Sequence, residues 1–162
     1  MLCASALPAL AQQIDTAPPN IVDQTFVTQA MNAGFQEIEQ AQAQLQKTSN
    51  PNVRLYAQTM IRDYTKTNEE IAAAAQQSGL QYPQSASADQ PVVAQPDETY
   101  MHDEVAAQEQ TIGLFEGEKS NGSREMAAVA GKIAPILDEH LAMAQQFLHA
   151  GRVSPEPSPS PR

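Results

Sequence analysis

The chain has 162 residues, a formal net charge of −10, 26 alanines, 20 glutamines and only 5% aromatic residues. Because alanine and glutamine favour helices and the β-favouring residues are scarce, the composition predicts an all-α protein. Nine Lys and Arg against 19 Asp and Glu leave no basic stripe, which argues against a nucleic-acid partner. The single cysteine rules out a disulfide framework and a cysteine-based zinc site.

The first eleven residues are uncharged and mostly apolar, and they end in Ala9-Leu10-Ala11, the small-x-small pattern of a signal-peptidase site. The basic region that normally begins a signal peptide is missing, so we interpret residues 1–11 as a signal-peptide remnant and expect an exported protein. Lipidation at Cys3 and an unprocessed apolar N-terminus are the alternatives. No later run reaches the roughly 18 apolar residues of a spanning helix, so we expect no transmembrane segment in the mature chain.

Proline and polar residues divide the rest of the chain. We interpret 12–22 as a linker and 23–150 as one helical domain. We expect 151–162 to be a disordered Pro/Ser tail, since its alternating prolines cannot form regular backbone hydrogen bonds.

Apolar periodicity within the domain predicts four amphipathic helices. They cover about residues 23–48, 51–79, 97–120 and 123–149. Asn50 is the predicted N-cap of the second helix, and Gly79 is the residue that stops it. The long connection 80–96 reaches roughly 56 Å at about 3.3 Å per residue, enough to run the length of a bundle. The sequence therefore predicts a four-helix bundle, in which a ferritin-like crossover and a plain up-down order are both allowed.

Helical spacing also assigns the inward faces of the last two helices. The inward positions are Met101, Val105, Gln108, Ile112 and Phe115 in the third helix, and Val129, Ile133, Ile136, His140, Met143 and Phe147 in the fourth. Glu104, next to His102 and Asp103, is predicted on a solvated helix face. Glu118 is predicted on the outer face of the third helix.

Four short motifs occur in a fixed order along the chain. They are Asp-x-x-Phe-Val from Asp23, Ser-Asn-Pro-x-Val from Ser49, Ala-Gln-x-Met-Ile-x-Asp from Ala57, and Ile-x-Pro-Ile-Leu-x-x-His-Leu from Ile133. Together they resemble the ferritin-like domain of unknown function family 4142 (DUF4142), a bacterial family of predicted outer membrane proteins. The resemblance covers about residues 23–148. It implies an exported helical bundle, periplasmic or associated with the outer membrane, with no established reaction.

The sequence departs from the usual pattern of that family at two histidine positions. The family has histidines after the aspartate of the second helix and in the middle of the third helix, where this chain has Tyr64 and Gln108. Only His140, in the fourth helix, matches. The departure argues against carrying a metal or acid–base role over to this chain.

Four polar residues are predicted near mid-height in the bundle interior, namely Glu37, Tyr64, Gln108 and His140. The hydroxyl, amide and imidazole groups can hydrogen-bond to one another or to Glu37, so we interpret the four as a buried polar layer that fixes helix register. A single metal ion at Glu37 and His140 is the alternative. A di-iron site is disfavoured, because it needs Glu-x-x-His motifs that the chain lacks.

The sequence thus favours an exported, non-catalytic helical-bundle protein without a cofactor, in a structural or binding role. An envelope protein or a second copy of the chain is the expected partner. The alternative function is that of a ferritin-like metal-binding or redox protein, with a degenerate site at the four polar residues.

Overall fold

The computed structural model describes residues 20–86 and 92–152. Four helices make up most of this part of the chain: α1 (Ile21–Lys47), α2 (Pro51–Gln77), α3 (Asp97–Asn121) and α4 (Arg124–Arg152). The predicted all-α four-helix fold is confirmed. The predicted signal-peptide remnant, most of the linker and most of the tail lie outside the described residues. Residues 21–22 and 151–152, which were assigned to the linker and the tail, are helical.

Local sequence explains where α2 begins and ends. The Asn50 side chain accepts a hydrogen bond of 2.9 Å from the backbone N–H of Asn52, which caps the first turn. At the other end, Gly79 adopts a positive φ of 69°. Leu80 N–H then donates to the carbonyl oxygen of Ala75 at 2.8 Å, which closes the helix in a Schellman motif. Both of these ends were predicted from residue type alone.

The two described ends of the connection 80–96 lie at opposite ends of the bundle. Gln24, near the start of α1, donates to the carbonyl oxygen of Gln81 just after α2, at 2.7 Å. Gln44, near the end of α1, donates to the carbonyl oxygen of Gln95 just before α3, at 3.1 Å. Of the two helix orders that the sequence allowed, the structure therefore has the single long crossover, a connectivity also found in ferritin-like folds.

The crossover determines which helices are neighbours. α1 and α4 each pack against α2 and α3, so α1 lies diagonally opposite α4, and α2 lies diagonally opposite α3. All packed neighbours are antiparallel, because α3 runs in the same direction as α2. No helix in the described part of the chain is long and apolar enough to cross a membrane.

The core face of α3 is more polar than predicted. Its buried residues are Tyr100, Met101, Glu104, Gln108, Thr111, Phe115 and Glu118. Val105 and Ile112 are only partly buried, so the inward face is rotated by about one residue from the predicted one. The predictions that Glu104 and Glu118 face solvent are wrong. The rotation buries Tyr100 beside Glu104, and Phe115 packs edge-on against Phe26 of α1, with ring centroids 5.0 Å apart.

The core face of α4 also differs from the prediction at several positions. Leu137 is fully buried, whereas Ile136 is only half-buried, so the assignment of Ile136 to the core is wrong. The buried positions of α4 include Ala130 and Ala144, which lie next to the partly buried Val129 and Met143. In each of these neighbouring pairs, hydropathy favours the larger residue over alanine. The prediction therefore placed the larger residue in the core.

Candidate functional site

The centre of the bundle holds a hydrogen bond between two of the predicted polar residues. Tyr64 of α2 donates from its hydroxyl to Oε1 of Gln108 of α3 at 3.0 Å, and both side chains are buried. The Gln108 amide also donates to the sulfur of Met60 at 3.7 Å. Since α2 and α3 are diagonal neighbours, the bond crosses the axis of the bundle. Burial raises the pKa of Tyr64 well above its usual value, so the hydroxyl keeps its proton.

His140 of α4 is buried, but its hydrogen-bond partner is not the predicted one. Its ring packs beside that of Tyr64, with centroids 5.6 Å apart, while Nε2 lies 3.0 Å from Oδ2 of Asp63. A carboxylate only accepts, so Nε2 carries the proton and Nδ1 is left buried without a partner. Burial lowers the pKa of His140, although the Asp63 carboxylate opposes that effect.

Asp63 is held between His140 and an exposed arginine. Arg62 donates from Nε to Oδ1 of Asp63 at 2.7 Å. Burial by itself raises the pKa of Asp63, but the hydrogen bonds from Arg62 and His140 outweigh it and leave the pKa below its usual value. Asp63 is therefore the charged end of a buried histidine–carboxylate pair.

Glu37 of α1 pairs with Glu104 of α3. Glu104 was predicted to face solvent. The two side chains are 6% and 1% exposed, and each carboxyl group influences the pKa of the other. Burial raises the pKa of both groups, and the charge of Glu104 raises that of Glu37 further. Neighbouring carboxylates repel each other in a dry interior, so burial and repulsion both favour a proton on this pair.

Two tyrosines complete the surroundings of this pair. Tyr56 of α2 donates to Oε2 of Glu104 at 3.0 Å. The Tyr100 hydroxyl is buried without a hydrogen-bond partner, next to the ring of Tyr56 at 6.1 Å. Burial, reinforced by the charge of Glu104, raises the pKa of both phenols. The cluster therefore gathers protonated or proton-sharing groups and has no cationic partner among the described residues.

The four predicted residues are thus all buried in the bundle. Tyr64 bonds to Gln108 and packs beside His140, whereas the hydrogen-bond partner of His140 is Asp63. The electrostatic neighbours of His140 are Asp63, Glu139 and Arg62, and Glu37 is not among them. Within the described residues, no three His, Cys, Asp or Glu side chains come together in a way that suits a metal ion. The spacing of Glu104, four residues before Gln108, was the available signal that it shares the inward face.

A second buried carboxyl pair lies at the end of the bundle where α1 begins and α3 ends. Asp23 accepts a hydrogen bond of 2.8 Å from the backbone N–H of Ser123, which links α1 to the α3–α4 turn. Glu118 is only 2% exposed and lies against Asp23. Burial, together with the Asp23 charge, raises the pKa of Glu118 to about 7.

Comparison with known protein families identifies the family of this chain. A family model described as "Domain of unknown function (DUF4142)" matches residues 7–147. The chain belongs to the DUF4142 family. The resemblance of the four motifs to this family is therefore confirmed. No curated protein and no solved structure matches the chain.

This DUF4142 protein also has a polar groove of about 520 Å³ on the face between α1 and α3. Amide side chains make up much of its wall, among them Gln29, Gln36 and Gln40 of α1 and Gln110 of α3. Glu37 lines the same groove, so the mid-bundle carboxyl pair borders a surface opening.

Proposed function

We propose that this DUF4142 protein is an exported, non-catalytic helical-bundle protein with a structural or binding role. The observation that best supports the proposal is the hydrogen bond between Tyr64 and Gln108. These two side chains occupy the bundle axis, where metal and cofactor sites of helix bundles are built. Buried polar side chains that hydrogen-bond to each other at the bundle axis are typical of a polar layer that fixes helix register.

The test of the structural role is removal of the Tyr64 hydroxyl. Tyr64→Phe leaves the buried oxygen of Gln108 without its donor, so we expect a loss of about 1–3 kcal/mol of unfolding free energy in urea. Replacing Gln108 by Leu in the same chain removes the unsatisfied group and should recover part of the loss. Tyr82→Phe, in the α2–α3 connection, is the matched control. A Tyr64→Phe variant as stable as this control contradicts the structural role.

Export is proposed from the Ala9-Leu10-Ala11 pattern and from the family resemblance, with the periplasm or the outer membrane as the destination. We expect cleavage after Ala11, so that Gln12 is the first residue of the mature chain. N-terminal sequencing of protein from the periplasmic and membrane fractions tests this. An intact Met1 on protein found only in the cytoplasm contradicts it.

A metal-binding or redox role is the second candidate, and two observations favour it. Glu37 and Glu104 bring carboxyl groups from two helices together, as ferritin-like metal sites do. His140 is oriented by Asp63 and has a free Nδ1, an arrangement also seen for metal-ligating histidines.

Metal analysis of untagged protein separates the two candidates. We expect far less than one equivalent of iron, manganese or zinc. Near-stoichiometric metal that is lost in either Glu37→Gln or His140→Ala replaces the structural proposal with the metal-binding one.

A further inference from the structure

Glu37 combines deep burial with unused hydrogen-bonding capacity. It is 6% exposed, and its one polar partner in the described part of the chain is the Glu104 carboxyl group. Its Oε2 receives no hydrogen bond from an N–H or hydroxyl group. A carboxyl group has several acceptor sites, and the proton shared with Glu104 accounts for only part of them. Glu37 is also the acidic residue that lines the groove between α1 and α3, so its carboxyl group is the acceptor that borders this opening.

The walls of the groove exclude several classes of ligand. None of the described lining residues is basic, so an anion finds no counter-charge. None is aromatic, so the face of a sugar or a base finds no surface on which to stack. The amide groups of Gln36, Gln40 and Gln110 suit a polar ligand better than an apolar one. The net charge of −10 attracts cations to the protein as a whole.

We propose that this groove binds a slender aliphatic primary amine, whose ammonium group donates hydrogen bonds to the Glu37 carboxyl group. The lining residues of α1 extend from Gln29 to Gln40, roughly 17 Å along the helix at about 1.5 Å per residue, so a linear chain fits the long dimension. Amide oxygens along the wall accept the remaining N–H groups. This inference specifies the ligand class for the binding role proposed above, and it rests on that role.

Isothermal titration calorimetry with putrescine tests the proposal. 1,4-Butanediol is the neutral control, because it has the same chain length and hydroxyl groups in place of ammonium groups. Both titrations use the full chain at one ionic strength, so that screening of the net charge stays constant. We expect saturable binding of putrescine and an affinity for the diol that is at least about tenfold weaker.

Two pairs of variants locate the binding. Glu37→Gln should weaken putrescine binding at least about tenfold, whereas Glu39→Gln, the same substitution at an exposed position of α1, should leave it unchanged. Ala107→Phe fills the groove and should abolish binding. Ala106→Phe, at the exposed neighbouring position, should retain it. Circular dichroism and urea unfolding show that each variant is folded.

Three results overturn the proposal: no saturable binding of putrescine, equal affinity for the amine and the diol, or an equal loss in Glu37→Gln and Glu39→Gln. The last result means that the Glu37 carboxyl group has no specific part in putrescine binding. The tests of export and of the Tyr64–Gln108 bond need no ligand, so failure of amine binding is distinguishable from failure of the proposed function.

Discussion

The buried carboxyl pair at the end of the bundle predicts that this protein loses stability as the pH rises from weakly acidic to neutral. Glu118 is 2% exposed and lies against Asp23, whose carboxylate accepts the Ser123 N–H at 2.8 Å. Burial, reinforced by the Asp23 charge, raises the pKa of Glu118 from 4.5 to about 7. Between these two values the folded protein holds a proton that the unfolded chain has released.

The size of the effect follows from the linkage between proton binding and folding. One pKa unit corresponds to about 1.4 kcal/mol, so Glu118 contributes at most about 3.5 kcal/mol. The contribution is complete below about pH 4.5, decreases as the pH rises, and is lost above about pH 7. Burial raises the pKa of Glu37 and Glu104 as well, and these groups act in the same direction. His140 acts in the opposite direction below about pH 6.5, because burial lowers its pKa.

The Glu118→Gln variant isolates one of these contributions, since glutamine has the shape of a protonated glutamic acid and does not ionise. We expect it to match the wild type at about pH 4 and to be more stable by up to about 3 kcal/mol at about pH 8. Urea unfolding at constant ionic strength across this range gives the free energies. Glu109→Gln, an exposed change on the same helix, should follow the wild type at every pH. Parallel pH profiles for the wild type and Glu118→Gln refute the reasoning.

Three further predictions concern packing and the polar pairs. Leu137→Ala should cost about 2–5 kcal/mol in urea unfolding, whereas Ile136→Ala, at a half-buried site, should cost about 1 kcal/mol; equal costs mean that the α4 face is wrongly assigned. Gly34→Ala places a methyl group against the side chain of a buried α2 asparagine and should lower stability by about 1–3 kcal/mol, with an unchanged Tm counting against it. A double-mutant cycle of His140→Ala with Asp63→Ala should give a coupling energy of about 1–2 kcal/mol, and additive losses contradict the pairing.

Much of the fold was predictable because the signals that determine it are local. Asn50 begins α2 through its side-chain hydrogen bond, and Gly79 ends α2 because glycine readily adopts a positive φ. Neither effect depends on the rest of the bundle. Apolar spacing over more than twenty residues identified each helix, and the long connection was visible from its proline and polar content. The same spacing placed Tyr64 and Gln108 in the interior, where the structure has them.

Local sequence signals could not predict which residues of α3 and α4 face the core. Glutamate is rarely buried unless it is paired, so residue type assigned Glu104 and Glu118 to solvent. Their burial depends on a second carboxyl group from α1, which is distant in the sequence. In α4, the inward positions of Ala130 and Ala144 depend on close helix packing, which hydropathy does not measure.

The sequence by itself determined the helices, their ends, the length of the connection and the presence of polar residues at mid-height. Only the tertiary structure decided which of those residues meet. The direction of the 80–96 crossover makes α1 a packed neighbour of α3, and this adjacency brings Glu37 to Glu104 and Asp23 to Glu118. A connection of that length permits either helix order, because it is long enough to span the bundle but need not be extended. The carboxyl pairs, and the groove that borders one of them, exist because packing of the four apolar faces selected one of the two orders.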